Sequence, residues 1–229
     1  MIGLIGAMNV EVEALEARLE NPVRETIGMD TFVRGTLFGQ EAVLAVCGPG
    51  KINAALCAQS MILRYHPAWL LNLGVAGSMA ADVRIGDMVI ANAAVQHDYD
   101  TSPLDPPGLI SKINLTTLPC DTGLRERLEK AAEAVGGFHV HVGLVATGDQ
   151  FIHTDEARAR IREMYHPLAV EMEGGAVAHA CYMHGVPCGI LRSISDNANT
   201  DSHMDYPSFT RLAAAHSQAV VERLLTEGA

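Results

Sequence analysis

Short apolar runs alternate with stretches of helical periodicity along most of the chain. Residues 2–7 and 88–95 are mainly apolar and have the length of buried strands. Val12 and Leu15 then follow the first run at helical spacing. Strands that alternate with helices are typical of an α/β fold whose sheet is covered by helices. The sequence therefore predicts a single α/β domain over residues 1–229, with a mixed, mostly parallel central β-sheet flanked by helices.

A hairpin and several amphipathic helices complete this prediction. Two runs at residues 31–37 and 41–46 flank Gly39 and Gln40, which is typical of a hairpin. Helical periodicity predicts further helices at about residues 52–65, 122–135 and 208–225. The glycine-rich turn at residues 47–51 lacks the spacing of either nucleotide-phosphate motif, so we interpret it as a close backbone turn.

The stretch at residues 168–196 combines two apolar runs with three carboxylates. Glu171 and Glu173 lie where the first run meets a helix, and Asp196 ends the second run. Each run is interpreted as a buried parallel strand, and Glu11 similarly follows the first strand of the chain. Ligands of α/β sheets bind beyond the carboxyl ends of the strands. The sequence therefore predicts that these acids gather at one edge of the sheet.

Purely structural roles would also explain the same acids. Glu11 suits a helix-dipole carboxylate on the surface. Glu171 and Glu173 suit a strand-end acid and a helix-capping acid, and Asp196 suits an Asx turn. If they are functional, carboxylates without a metal or nucleophile signature favour hydrolysis at an acetal-like carbon.

Other chemistries find less support in the motifs. A serine hydrolase is disfavoured because no G-x-S-x-G sequence occurs. His97 and Asp98 could suggest a metal site, but no second His or Cys stands at ligand spacing, so we interpret them as part of a polar loop. We therefore expect no metal.

Composition argues against several binding partners and cellular compartments. The hydrophobic fraction is 48% and the charged fraction 19%, which suits a large core. A net charge of −11, from 16 basic and 27 acidic side chains, argues against binding to nucleic acid or an anionic membrane. The five cysteines form no C-x-x-C pair, which indicates reduced thiols in a cytoplasmic protein. We expect neither a signal peptide nor a membrane-spanning segment.

Six motifs together resemble the bacterial 5′-methylthioadenosine/S-adenosylhomocysteine nucleosidases, which belong to the nucleoside phosphorylase superfamily. The resemblance covers essentially the whole chain. Its motifs are IGAMNVEVEAL at residues 5–15, NLGVAGSM at 72–79, GDMVIA at 86–91, TGDQFI at 147–152, AVEMEGGAVAH at 169–179 and RSISDNAN at 192–199.

The resemblance implies a nucleoside phosphorylase-like fold and hydrolysis of an N-glycosidic bond. The expected substrates are 5′-methylthioadenosine, S-adenosylhomocysteine and 5′-deoxyadenosine, which release adenine and the (thio)ribose. This activity serves methionine salvage and the recycling of S-adenosylmethionine by-products. The resemblance also implies no cofactor, and a homodimer in which residues 100–109, from Asp100 to Leu109, reach the 5′ pocket of the partner subunit.

The resemblance assigns roles to the acids. Glu11 is the general base on the attacking water, and Asp196 protonates or hydrogen-bonds N7 of adenine. Glu173 holds the ribose hydroxyls, with Met172 and Glu171 beside it. The other substrate-binding residues are Phe151 and Ile152 at the purine, Met8 and Tyr206 at the sugar and 5′ substituent, and Arg192 and Ser195 as supporting polar groups.

Departures from the family pattern bear on specificity. Val75 stands in the substrate region where many relatives carry Ser, and Pro49 stands where an aliphatic residue is common. The loop at residues 97–120 also differs. A purine nucleoside phosphorylase, a futalosine-type hydrolase and a non-catalytic nucleoside-binding protein are the alternatives. The phosphorylases typically begin with a G-D-P-x-R-like turn, whereas this chain has A-M-N-V-E at residues 7–11.

Overall fold

The structure, a computed structural model, describes residues 1–197 and 202–226, and the side chains of residues 1–197 and 209–226. Within these residues the strands are β1 (Ile2–Gly6), β2 (Glu20–Ile27), β3 (Asp30–Leu37), β4 (Gln40–Val46), β5 (Leu70–Ser78), β6 (Met88–Gln96), β7 (Thr117–Pro119), β8 (Val140–Thr147), β9 (Ala169–Glu171) and β10 (Cys188–Asp196). The helices are α1 (Asn9–Glu16), α2 (Lys51–Tyr65), α3 (Thr122–Val135), α4 (Asp155–Tyr165), α5 (Gly174–His184) and α6 (Ser202–Thr226).

The strands form one mixed sheet, as the sequence predicts. Parallel pairings join β4, β1, β5 and β10 side by side, and others join β6 to β8 and β8 to β9. β10 also pairs antiparallel with β6, and β9 pairs antiparallel with β5. Strands β5, β10, β6, β8 and β9 therefore close into a ring, which the sequence pattern did not predict. The expected parallel arrangement holds for β10 on β5, whereas β9 runs parallel to β8 but opposite to β5.

Two helical layers cover the two faces of the sheet. Helices α2 and α5 pack together on one face, and their buried side chains share a core with Ile5, Val89 and Ile190. Helices α1, α3 and α6 pack on the other face, where they share a second core with Leu4 and Leu71. Burying both faces is the main stabilising term, because each fully buried aliphatic side chain contributes about 1.5–3 kcal/mol.

Several element boundaries differ from the sequence prediction for physical reasons. β5 continues beyond the apolar run at residues 69–73 to Ser78, because small residues let the backbone remain buried among its neighbours. β2 was not predicted, since it is an edge strand with mostly exposed side chains and contains Pro22. α6 begins at Ser202, six residues before the predicted start at residue 208.

Among the helices of the described residues, none is both long enough and apolar enough to cross a bilayer.

Candidate active site

A cleft opens beyond the carboxyl ends of β1, β5 and β10. These three strands are parallel neighbours, so their C-terminal ends meet at one edge of the sheet. Predicted residues that line the cleft are Met8, Glu11, Val75, Phe151, Ile152, Glu171, Met172, Glu173, Ser195 and Asp196. Arg192 lies behind the wall of the cleft against Glu171, and the side chain of Tyr206 lies outside the described residues.

Glu11 is buried at the N-terminus of α1, not exposed on the surface of the helix. Its Oε2 accepts hydrogen bonds from the backbone N–H groups of Ala7 at 2.7 Å and Met8 at 2.9 Å. Its Oε1 accepts one from Val75 N at 3.0 Å, on the neighbouring strand β5. Burial raises the pKa of Glu11, although the charge of Arg192 and the three backbone donors act in the opposite direction. The site therefore holds a carboxylate that is oriented by its donors and is a stronger base than an exposed glutamate.

Gly74 makes room for this carboxylate. A Cβ atom added at Gly74 would lie 2.5 Å from Glu11 Oε1 and 3.3 Å from Arg192 Nη1. The glycine is thus required by close approach of a side chain to the strand, and not by the backbone conformation.

Glu171 and Arg192 form a buried ion pair at the base of the site. Glu171 Oε2 contacts Arg192 Nη2 and accepts backbone N–H bonds from Glu173 at 3.0 Å and Gly174 at 2.6 Å. Its Oε1 accepts a hydrogen bond from the hydroxyl of Thr147. Burial opposes ionisation, but the charge of Arg192 and these hydrogen bonds outweigh it and hold the pKa of Glu171 below its ordinary value. Glu171 is therefore an ionised carboxylate whose two oxygens are both engaged by protein groups.

Glu173 lies two residues further on, at the N-cap of α5, and has a contrasting environment. Its Oε1 accepts the Gly50 N–H at 3.0 Å, while its Oε2 lies 3.9 Å from Arg192 Nη2. Burial, and then the charge of Glu171, raise the pKa of Glu173 to about 7. The pKa values of Glu171 and Glu173 thus shift in opposite directions, and Arg192 contacts Glu171 directly but Glu173 only at a distance.

Asp196 ends β10 and is buried together with Ser195. The hydroxyl of Ser195 donates to Asp196 Oδ2 at 3.0 Å. The pairing of β10 with β5 shifts register between Ile194 and Asp196. Such irregularities redirect side chains near functional sites, and here Ser195 and Asp196 both line the cleft.

Phe151 and Ile152 line the same cleft from the turn that follows β8. Ile152 is buried, whereas the side chain of Phe151 is 42% exposed at the mouth of the cleft. The residues that line the cleft are therefore mostly acidic or apolar. Among the described residues that line it, there is no Lys or Arg.

Two supporting residues were not singled out from the sequence. Asn72 Oδ1 accepts from Arg192 Nη2, and Asn72 Nδ2 donates to Ile5 O at 2.9 Å. Thr147 accepts the Gly175 N–H at 2.7 Å while its hydroxyl bonds Glu171. An asparagine inside the apolar run at residues 69–73 was the available signal, because buried amides require partners.

His97 and Asp98 lie in the turn that follows β6. Within the described part of the chain, no group of three or more His, Cys, Asp or Glu side chains could hold a metal ion. Asp98 instead pairs with Lys51 at 2.6 Å.

Comparison with known proteins identifies the family of this chain. The family model of the phosphorylase superfamily matches residues 1–226. A 5′-methylthioadenosine/S-adenosylhomocysteine nucleosidase of Shewanella sediminis is 37% identical over 229 residues and covers 99% of both chains.

Solved structures give the same result. The 5′-methylthioadenosine/S-adenosylhomocysteine nucleosidase of Neisseria meningitidis, in complex with methylthio-immucillin-A, matches with a TM-score of 0.95 and 32% identity over 99% of this chain and 98% of that one. A futalosine hydrolase of Helicobacter pylori matches with a TM-score of 0.93 and 33% identity over 99% and 97%. The chain therefore belongs to the 5′-methylthioadenosine/S-adenosylhomocysteine nucleosidase family of the phosphorylase superfamily.

Proposed function

We propose that this protein hydrolyses the N-glycosidic bond of 5′-methylthioadenosine and S-adenosylhomocysteine, and also that of 5′-deoxyadenosine. The observation that carries the proposal is the convergence of Glu11, Glu173 and Asp196 on one cleft beside an apolar turn. Full-length relatives named as nucleosidases, and one bound to methylthio-immucillin-A, support the same conclusion.

Glu11 is the general base in this proposal. The N–H donors of Ala7, Met8 and Val75 fix its orientation, so that the carboxylate can take a proton from a water in the cleft. Its raised pKa makes proton transfer more favourable than for an exposed glutamate. The resulting hydroxide attacks the anomeric carbon of the ribose.

Glu173 binds the ribose hydroxyls. A carboxylate accepts hydrogen bonds from two neighbouring hydroxyls, and Met172 lies beside it in the wall of the cleft. As the bond to adenine breaks, the sugar gains oxocarbenium character. The negative charges of Glu11 and Glu173 then stabilise a positive charge that the substrate lacks.

Asp196 completes the reaction at the purine. The Ser195 hydroxyl donates to Asp196 Oδ2 at 3.0 Å and orients the acid beside the cleft. In the proposal, Asp196 donates a proton to N7, because neutral adenine is a much better leaving group than its anion. Phe151 and Ile152 pack against the base and hold it in place for this transfer.

Hydrolysis is favoured over phosphorolysis by the charge of the cleft. A phosphate nucleophile requires cationic groups or an anion-binding nest. The described lining residues of the cleft include four acids and no Lys or Arg. Arg192 is already engaged by Glu171 and Asn72.

The decisive experiment is a panel of nucleosides, assayed for the released base with and without phosphate. The panel contains methylthioadenosine, S-adenosylhomocysteine and 5′-deoxyadenosine, which would release adenine, and inosine and futalosine, which would release hypoxanthine. Phosphate-independent release of adenine supports the proposal, while a requirement for phosphate identifies a phosphorylase. Preferential turnover of futalosine identifies the related hydrolase. Tight binding of methylthioadenosine without release of adenine over hours identifies a binding protein.

We also propose that the protein is a cytoplasmic homodimer acting in methionine salvage. An apolar surface on α2 and α5 includes Ile52, which is 72% exposed, Leu56 at 60% and Met183 at 43%. Leu104, in the loop at residues 100–109, is 86% exposed and would enter the 5′ pocket of the partner subunit. Light scattering on wild type and Leu56→Asp tests the dimer. Leu104→Ser is expected to raise KM for methylthioadenosine if the loop reaches the partner subunit. The free cysteines suit a reducing compartment.

A further inference from the structure

An enclosed ion pair lies just outside the cleft, in the His97–Asp98 loop that the mechanism does not use. Lys51 Nζ contacts Asp98 Oδ1 at 2.6 Å, and the two side chains are only 15% and 18% exposed. Neither residue lines the cleft. Enclosing an ion pair carries a desolvation penalty, so this pair is more than an ordinary surface contact.

Asp149 joins this pair into a closed set of contacts. The Asp149 N–H donates to Asp98 Oδ2 at 2.7 Å, and Asp149 Oδ1 accepts the Lys51 N–H at 2.6 Å. Lys51, Asp98 and Asp149, which we name the clamp, thereby connect the start of α2, the loop after β6 and the turn after β8. These three segments are distant in sequence and share no strand pairing at these residues.

Two residues of the clamp, Asp149 and Lys51, are backbone neighbours of groups that form the cleft. Asp149 precedes Gln150, Phe151 and Ile152, which line the cleft. Lys51 follows Gly50, whose N–H donates to Glu173 Oε1 at 3.0 Å. A shift of the Lys51 backbone therefore moves the donor that orients Glu173, and a shift of Asp149 moves the apolar turn.

We propose that Lys51, Asp98 and Asp149 are positioning residues that hold the purine-binding turn and the Gly50 N–H in register for nucleoside binding. This inference rests on the proposed function of the cleft. The clamp does not touch the reacting atoms, so it acts on binding more than on the chemical step.

The ionisation of Asp98 fits this role. Burial opposes its charge, but the hydrogen bonds from Lys51 and the Asp149 N–H hold the pKa of Asp98 below its ordinary value. The pKa of Glu173 also depends on Gly50, which precedes Lys51 of the clamp. Burial and the charges of the facing groups Glu171 and Glu11 raise this pKa, whereas the charge of Arg192 and the Gly50 N–H lower it. The Cys47 thiol also lies near Glu173, and burial raises the pKa of Cys47 to about 12, which keeps it neutral.

Asp98→Asn is the sharpest test, because an amide has one acceptor oxygen where the carboxylate uses two. We expect KM for methylthioadenosine to rise roughly tenfold, with kcat changing by less than about threefold. The acidic limb of kcat/KM should also move to higher pH, since Glu173 loses part of its Gly50 hydrogen bond. Lys51→Met should raise KM similarly, and the double variant should be little worse than either single one.

Glu25→Gln is the matched control. It breaks the Glu25–Arg64 pair, 2.9 Å long, between β2 and the opposite end of α2. This control should leave KM and the pH profile unchanged, and light scattering on each variant checks that the oligomeric state is the same.

A folded Asp98→Asn protein with a lower melting temperature but unchanged KM and pH profile would show a purely structural role and overturn the inference. Wild-type protein that releases no adenine would instead overturn the proposed function. In that case, calorimetric binding of adenine still tests the clamp: weaker binding by Asp98→Asn than by wild type supports it, and equal affinity refutes it.

Discussion

Replacing Gly74 by Ala tests whether the position of Glu11 controls the chemical step. The added Cβ would lie 2.5 Å from Glu11 Oε1, whereas real Cβ contacts essentially never fall below 3.0 Å. Glu11 must therefore retreat by at least about 0.5 Å, and its 3.0 Å bond from Val75 N must lengthen or break. Misplacement of a catalytic group by about 1 Å can lower a rate by 10²-fold, so we expect kcat to fall roughly 10- to 100-fold.

The assay is adenine release from saturating methylthioadenosine, with circular dichroism and thermal melting on the same samples. Gly3→Ala is the matched control, since Gly3 is a buried glycine on the adjacent strand β1. Its added Cβ meets the Met61 sulfur at 2.7 Å, in the core and away from the cleft. Gly3→Ala should lose stability but keep kcat. A folded Gly74→Ala protein with wild-type kcat would refute the claim that the site depends on this close approach.

Three further substitutions separate the roles of the acids. Asp196→Asn should lower kcat by about 10²- to 10⁴-fold at an unchanged fold, and near-normal turnover would contradict its role at the leaving group. Glu11→Gln should lose the chemical step yet still bind methylthioadenosine in calorimetry; normal turnover of bound substrate would rule it out as the base. Glu173→Gln should weaken nucleoside binding and raise the melting temperature relative to wild type at about pH 8 but not at about pH 5. The pKa of Glu173 in the folded protein is raised to about 7, so the folded state favours the neutral acid and loses stability as pH rises through that value. An equal shift in melting temperature at both pH values would contradict the assignment.

The sequence predicted that several acids would meet at one edge of the sheet, because they stand at or just beyond the ends of apolar runs. Strand ends are local features, and the parallel neighbours β1, β5 and β10 bring Glu11 and Asp196 together, whereas Glu171 and Glu173 follow β9, which runs opposite to β5. The closed ring of strands was not predicted, because the pairing of β10 with both β5 and β6 leaves no local mark. β2 escaped for a different reason: its exposed, polar residues carry no apolar alternation.

The environment of each acid was harder to predict than its location. Lys51 and Asp98 are 47 residues apart, and no spacing rule connects them. Glu171 and Glu173 look equivalent in the sequence, yet Glu171 is engaged by Arg192, Thr147 and two N–H groups. Glu173 accepts one N–H, from Gly50, and lies 3.9 Å from Arg192. These differences arise from three-dimensional contacts that a single sequence does not encode locally.

The distribution of charge around Arg192 explains how the site can favour a cationic transition state. Arg192 is the cation that the described structure places against these acids, and its charge is matched mainly by Glu171 in direct contact. Glu11 and Glu173 are therefore left with incomplete compensation, and burial raises the pKa of both. A neutral nucleoside relieves little of this excess of negative potential, whereas a sugar with oxocarbenium character relieves more of it. Because only interactions that strengthen in the transition state accelerate the reaction, the imbalance of acids over cations is itself a catalytic feature.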